Sequence, residues 1–198
     1  EGPLSQAAGH DLNYLALTGV LHAIGPKELP VPPLNVVADM GGGAMFLAVG
    51  ILAAVIETQR SGQGQVVDTA MTEGSAYLGS GAFGAAAAGD WIQERASNIT
   101  DGGAHFYRCY KTSDEKFVSI ASIEAKFYAI LLDKLGLDPA SLPAQMDRPT
   151  WPEMGLKFEA LFAQKTRDEW CNIMEGTDIC FAPVLTFDEA FEHPHNRD

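Results

Sequence analysis

The chain is poor in positive charge and in cysteine. Thirteen Lys and Arg stand against 26 Asp and Glu, a formal net charge of −13. Phosphate recognition needs clustered cations, so nucleic acid is not expected as a partner. Three cysteines, Cys109, Cys171 and Cys180, are odd in number and lack CxxC spacing. No metal site and no disulfide framework are expected from them, and a reducing, intracellular setting is the simplest reading. A charged-then-apolar leader is missing. The longest apolar run, 44–56, is short for a bilayer and rich in Ala and Gly, so no membrane span is expected. Glu1 is not an initiator Met and nothing closes the chain after Pro194-His195-Asn196, which reads as a piece of a longer protein.

What remains is ordinary material for a folded domain, with 46% hydrophobic and 20% charged residues. Leu12, Leu15, Ala16, Val20 and Ile24 are spaced for one face of a helix over 9–24. Four prolines between 26 and 33 make the next stretch a loop. After Gly41-Gly42-Gly43, residues 44–59 form a helix that is apolar almost all round and therefore lies inside its protein. Residues 65–71 (QVVDTAM) read as a strand, and 72–88 as one Ala/Gly-rich helix. Strands over 106–112 and 116–121 form a hairpin around Ser113-Asp114-Glu115. Helices over 124–135 and 151–163 follow. Another starts at Thr166, which pairs with Glu169 as a capping box, and 181–184 is an edge strand. The expected fold class is α/β. Residues 1–71 belong to a large α/β domain, 72–104 to a linker helix and connector, 105–187 to a small α+β domain, and 188–198 to the start of a return linker. There is no internal repeat.

The chemistry sits in Gly9-His10-Asp11-Leu12-Asn13-Tyr14 and Asn35-Val36-Val37-Ala38-Asp39-Met40-Gly41-Gly42-Gly43. An imidazole, a carboxylate and backbone N–H groups at a glycine-rich helix start are what is needed to move a proton at carbon beside a carbonyl. Two bases on opposite faces of one carbon would exchange its configuration. The plainer readings stand beside this one. On residue chemistry alone an Asp before a helix is more often an N-cap than a catalyst, a lone His near a helix start is more often structural, and Gly-Gly-Gly is only a permissive turn. Spacing alone does not bring His10 to Asp39. His105 begins the hairpin and is a weaker candidate for a cleft, while His22, His193, His195, Trp151 and Trp170 read as structural.

GHDLNYLALTGVLHAIG, PVPPLNVVADMGGGAMFLAVGILAAVIE, SGQGQVVDTAM, DGGAHFYRCYKTSDEKFVSIASIEAKFY and CFAPVLTFDEAFEHPH together resemble the α-methylacyl-CoA racemases of the family III CoA-transferase superfamily. The resemblance covers essentially all of the chain. It implies a Rossmann-like large domain built from both chain ends, a small domain, and an interlocked homodimer acting on an acyl-CoA thioester without metal or redox cofactor. It further implies that His10 and Asp39 are the acid/base pair, that Glu124 orients the histidine and that Asn35 helps build the site. Asp11, Tyr14 and Gly41–Gly43 are implied to lie against substrate. The basic residues for the CoA phosphates are implied to lie upstream. One departure concerns the acyl group: relatives often carry a methionine-rich surface where this chain has the Gly/Ala-rich stretch 77–88.

Two functions follow. A racemase would invert C2 of a 2-methylacyl-CoA through an enolate. A CoA transferase would instead use Asp39 as nucleophile, forming an anhydride and then a thioester. His10, which a transferase does not need, favours the racemase. A non-catalytic acyl-CoA-binding relative is the third reading. The implied compartment is cytoplasmic, or a peroxisome or mitochondrion in a eukaryote.

Overall fold

Residues 2–197 are described in the computed structural model, and the chain divides into two units, 1–96 and 97–198. The division falls inside the stretch expected as a connector.

In the first unit, α1 covers Asp11–Leu17 and a 3-10 turn covers Val20–Ala23. The single helix expected over 9–24 is interrupted at Gly19, whose φ of 83° takes the chain out of helix. The next helix starts earlier than its glycines suggested. A π-helical segment, Val36–Met45, runs without a break into α2, Phe46–Ser61. Gly41–Gly43 thus lie within a helix and do not open one.

Each glycine costs a helix about 1 kcal/mol of propensity, and packing outweighs that cost here. The segment lies backbone to backbone on α3, Met71–Leu78. A Cβ on Gly42 would stand 2.6 Å from the Ser75 N and Oγ, and one on Gly74 would collide with the Gly42 carbonyl. Gly62, with φ 74°, ends α2 as its N–H donates to the Thr58 carbonyl at 2.8 Å. The expected helix over 72–88 is two helices, α3 and α4 (Ser80–Ala87), parted at Gly79.

Two expectations fail in this unit. The stretch 65–70 forms no strand among the described residues, Val66 is 92% exposed, and Met71 already belongs to α3. An alternating pattern makes a strand only where a neighbour supplies the ladder. In turn α2 is not interior within this chain: Val49 and Leu52 are each 63% exposed. Together 36–61 make one helix of 26 residues with mean hydropathy 1.9 over its most apolar stretch, by length and composition enough to cross a membrane. Reading the run 44–56 alone missed this, because the helix includes its own glycines.

The second unit follows the sequence closely. Strands β1 (Tyr107–Lys111), β2 (Phe117–Ala121) and β3 (Phe181–Val184) form an antiparallel sheet with β2 in the middle. Tyr107 faces Ala121 and Lys111 faces Phe117 across the hairpin. Pro183 lacks an N–H and is accommodated on the edge strand. Around the sheet pack α5 (Ala125–Lys134), α6 (Trp151–Phe162) and α7 (Arg167–Met174). The core runs from Ala104 and Phe106 through Tyr110, Leu131, Phe158 and Phe162 to Ile179. Its rings interlock: Tyr110 stacks on Phe162 at 4.8 Å, and Phe106 meets Trp151 edge-on at 5.6 Å. Both core tryptophans keep a partner, Trp151 donating to the Gln145 carbonyl and Trp170 to that of Phe162.

Thr166 and Glu169 make the expected capping box. The expected return linker is largely helical, as α8 (Phe187–Glu192) and α9 (Pro194–Arg197). Glu189 of α8 accepts a two-pronged bond from buried Arg167, at 2.6 and 2.8 Å, and a third from Lys116 at 3.0 Å. These bonds, chiefly the Arg167 fork, hold the Glu189 carboxyl well below the usual carboxylate range.

Candidate active site

His10 stands at the N-cap of α1, extended at φ −129°, and is exposed. Its backbone N–H donates to the Asn13 Oδ1 at 3.1 Å, so a side chain of the first turn fixes the backbone that carries the imidazole. The Tyr14 ring lies over Gly9, where a Cβ would come within 3.0 Å of Cζ. Small Gly9 is thus what lets Tyr14 stand beside the histidine.

Asp11, the next residue, turns inward and is 5% exposed. Its Oδ2 accepts from the Ala38 N–H at 2.9 Å and the Asp39 N–H at 2.7 Å. Those are donors of the first turn of the helix that starts at Val36, where N–H groups have no partner in their own helix. The sequence placed an anion-accepting helix start at Gly41–Gly43. The structure places it at Ala38 and Asp39, and the anion there is the protein's own. The glycines have another task, the close approach to α3: Gly41 faces Leu78, Gly42 faces Ser75 and Gly43 faces Met71.

Asp39 is half-buried on that helix, one residue past fully buried Ala38. The Asn35 amide donates to its Oδ2 at 3.4 Å, a long contact one turn away. Leu34, just before, takes a left-handed φ of 56°, a conformation that costs a residue with a Cβ roughly 1–2 kcal/mol. The chain reverses there to aim Asn35 and the helix. Within the first unit Asp11 thus links the chain at His10 to the helix that carries Asp39, and Asn35 reaches Asp39 from that helix's start.

Glu124 belongs to the second unit. It occupies the N-cap of α5 in extended conformation, yet its carboxylate does not cap that helix and is exposed. The backbone just before it is held: Gln145 donates to the Ser122 and Ile123 carbonyls at 2.9 and 3.0 Å.

His105 is a core residue, 1% exposed, with Nε2 2.8 Å from the Tyr128 hydroxyl and Nδ1 unpartnered. Burial, with help from the Arg108 charge, lowers its pKa to about 4. It is neutral at ordinary pH and lines no cleft within its unit. Sequence reasoning missed the bonds of Asp11, the Asn13 partner and the contact of Gly42 with Gly74 and Ser75. Only Asn13 carried a local signal, three residues from the N-cap as in a capping box.

A family model described as CoA-transferase family III matches residues 1–198. The chain is 53% identical to "Alpha-methylacyl-CoA racemase" of Mus musculus and 47% identical to that of Homo sapiens, in each case over all of this chain and 52% of the relative. It thus spans about half the length of these relatives. Among solved structures, a CAIB/BAIF family protein from Brucella suis superposes with a TM-score of 0.76 at 20% identity, over all of this chain and 53% of the other. That likeness speaks for the fold alone.

Proposed function

The chain belongs to CoA-transferase family III, and on that premise we propose that the complete protein is a racemase or epimerase inverting C2 of 2-methylacyl-CoA thioesters. The observation that carries the reading is the backbone link that one carboxylate makes between the chain at His10 and the chain at Asp39. Asp11 is covalently next to His10 and accepts the backbone N–H of Asp39. The relatives named as racemases, at 53% and 47% identity, support it.

In this proposal one base removes the α-proton, and the other returns a proton on the opposite face of the planar enolate. A pair of positioned bases is worth roughly 10²–10⁴ in rate for each proton transfer. Backbone donors must stabilise the enolate oxygen, and since Ala38 and Asp39 already donate to Asp11, others serve. The reaction calls for no metal or redox cofactor, the CoA thioester being substrate. Glu124 as the group orienting His10, Asn35 and Tyr14 at the site, the Rossmann-like large domain, the interlocked homodimer and the cytoplasmic setting enter on the resemblance. Val49, Leu52 and the rest of the α2 surface are read as interior in the complete protein, covered by polypeptide and not by lipid. Asp39 inside the same helix, and α3 packed along its first third, fit that reading.

The test is α-deuterium exchange, followed by NMR, of the complete protein with a 2-methylacyl-CoA in D₂O and no acceptor acid. Exchange with loss of chirality is expected. No exchange, but CoA transfer once a free acid is added, would make Asp39 a nucleophile and the protein a transferase.

A further inference from the structure

We propose that the Asp11 carboxylate is a positioning residue that holds Asp39 in line with His10, an inference that rests on the two-base reading above. Asp11 meets both bases with nothing in between. On one side it shares a peptide bond with His10, and on the other its Oδ2 accepts the Asp39 N–H at 2.7 Å. The second bond, from Ala38 at 2.9 Å, prevents the helix start from pivoting about the first. The site of these bonds is nearly closed to solvent: Ala38 is fully buried, Asp11 is 5% exposed and its other oxygen has no partner among the described residues. Charge-assisted bonds in such a setting are short and directional.

The donors depend on Asp11 for a geometric reason. In a π-helical turn the first bond within the helix is from the Met40 N–H to the Asn35 carbonyl, at 3.3 Å, so the N–H groups up to Asp39 precede it. Without the carboxylate, Ala38 and Asp39 lose their acceptor in a place that water does not readily reach. The histidine loses less, because its own backbone is fixed separately by Asn13. Removal of the Asp11 charge should therefore displace one base more than the other. A misplacement of about 1 Å is worth on the order of a hundredfold in rate.

That asymmetry separates positioning from general support of the fold. In the complete protein, deuterium exchange would be measured from each pure enantiomer of a 2-methylacyl-CoA, alongside melting. Asp39→Asn and His10→Gln first show which enantiomer each base serves. Asp11→Asn is then expected to slow exchange of the Asp39-dependent enantiomer about a hundredfold, with a much smaller effect on the other. Asp11→Glu, which restores the charge on a longer arm, is expected to recover part of the loss with the same preference. Equal slowing of both enantiomers by either folded variant, or no slowing by Asp11→Asn, would overturn the proposal. If Asp11→Asn does not fold, the preference shown by Asp11→Glu decides. Failure of the two-base reading itself shows separately, as reference variants that do not discriminate between enantiomers, and it removes this inference with it.

Discussion

The two units differ in what they bury. From Ala104 to Ile179 the second unit closes a core of interlocking aromatic and aliphatic side chains. In the first, only Leu15 and Ala38 are buried apolar residues among those described. Yet the first is no less apolar in sequence: Val49, Ile51, Leu52, Val55 and Ile56 simply remain at its surface. One unit closes a core of its own, and the other leaves most of its apolar helix surface open. The proposed catalytic pair lies in the open unit, so its precision comes from specific bonds and from glycine contacts instead of a core of its own.

Separating the units gives the largest expected effect. Residues 97–198 alone should melt cooperatively, whereas 1–96 alone should bind apolar dyes and show no sharp transition. A soluble, sharply melting 1–96 would end the contrast. Next in size, Phe158→Ala in the core should cost about 3–5 kcal/mol, read by urea unfolding. Leu52→Ala on the open helix should cost less than about 0.5 kcal/mol in this chain. In the complete protein, where that surface is proposed to be covered, the same change should approach the core value.

A further effect is one of pH and belongs to the second unit. His105 titrates at about 4 in the fold against 6.5 for an ordinary histidine. As pH falls below 6.5, the unfolded chain takes up a proton that the folded chain refuses until about 4. Stability should therefore fall across that window by at most about 1.4 kcal/mol per pH unit. Glu189, held low by Arg167, adds a loss of the same sign only at more acid pH, as its carboxyl is protonated. His105→Gln should flatten the upper window alone, and a slope that survives this change would place its origin elsewhere.

The same contrast explains what could be read in the sequence. The hairpin, the capping box at Thr166 and the core tryptophans were legible because each rests on a local rule: alternation, a spacing of three residues, a bulky ring among apolar neighbours. The strand expected at 65–71 and the burial expected of α2 depended on partners, and none lies among the described residues. The glycine run misled in another way. It reads as a helix breaker, and only the face of α3 shows why a helix should keep it. Asp11 was legible as a residue near the site, but its bonds span 27 and 28 residues, and nothing in the intervening sequence encodes them.

Where Gly42 meets Gly74, the contact is made by hydrogen atoms and carbonyls alone. Every single-nucleotide missense change of a glycine codon adds a β-carbon, so this crossing has no neutral neighbour one genetic step away. A lineage carrying it could remodel α2, the hairpin or the Gly/Ala-rich stretch 77–88 by gradual exchange of side chains. It could leave this crossing only by two changes at once, or by passing through a protein in which Asp39 stands in the wrong place.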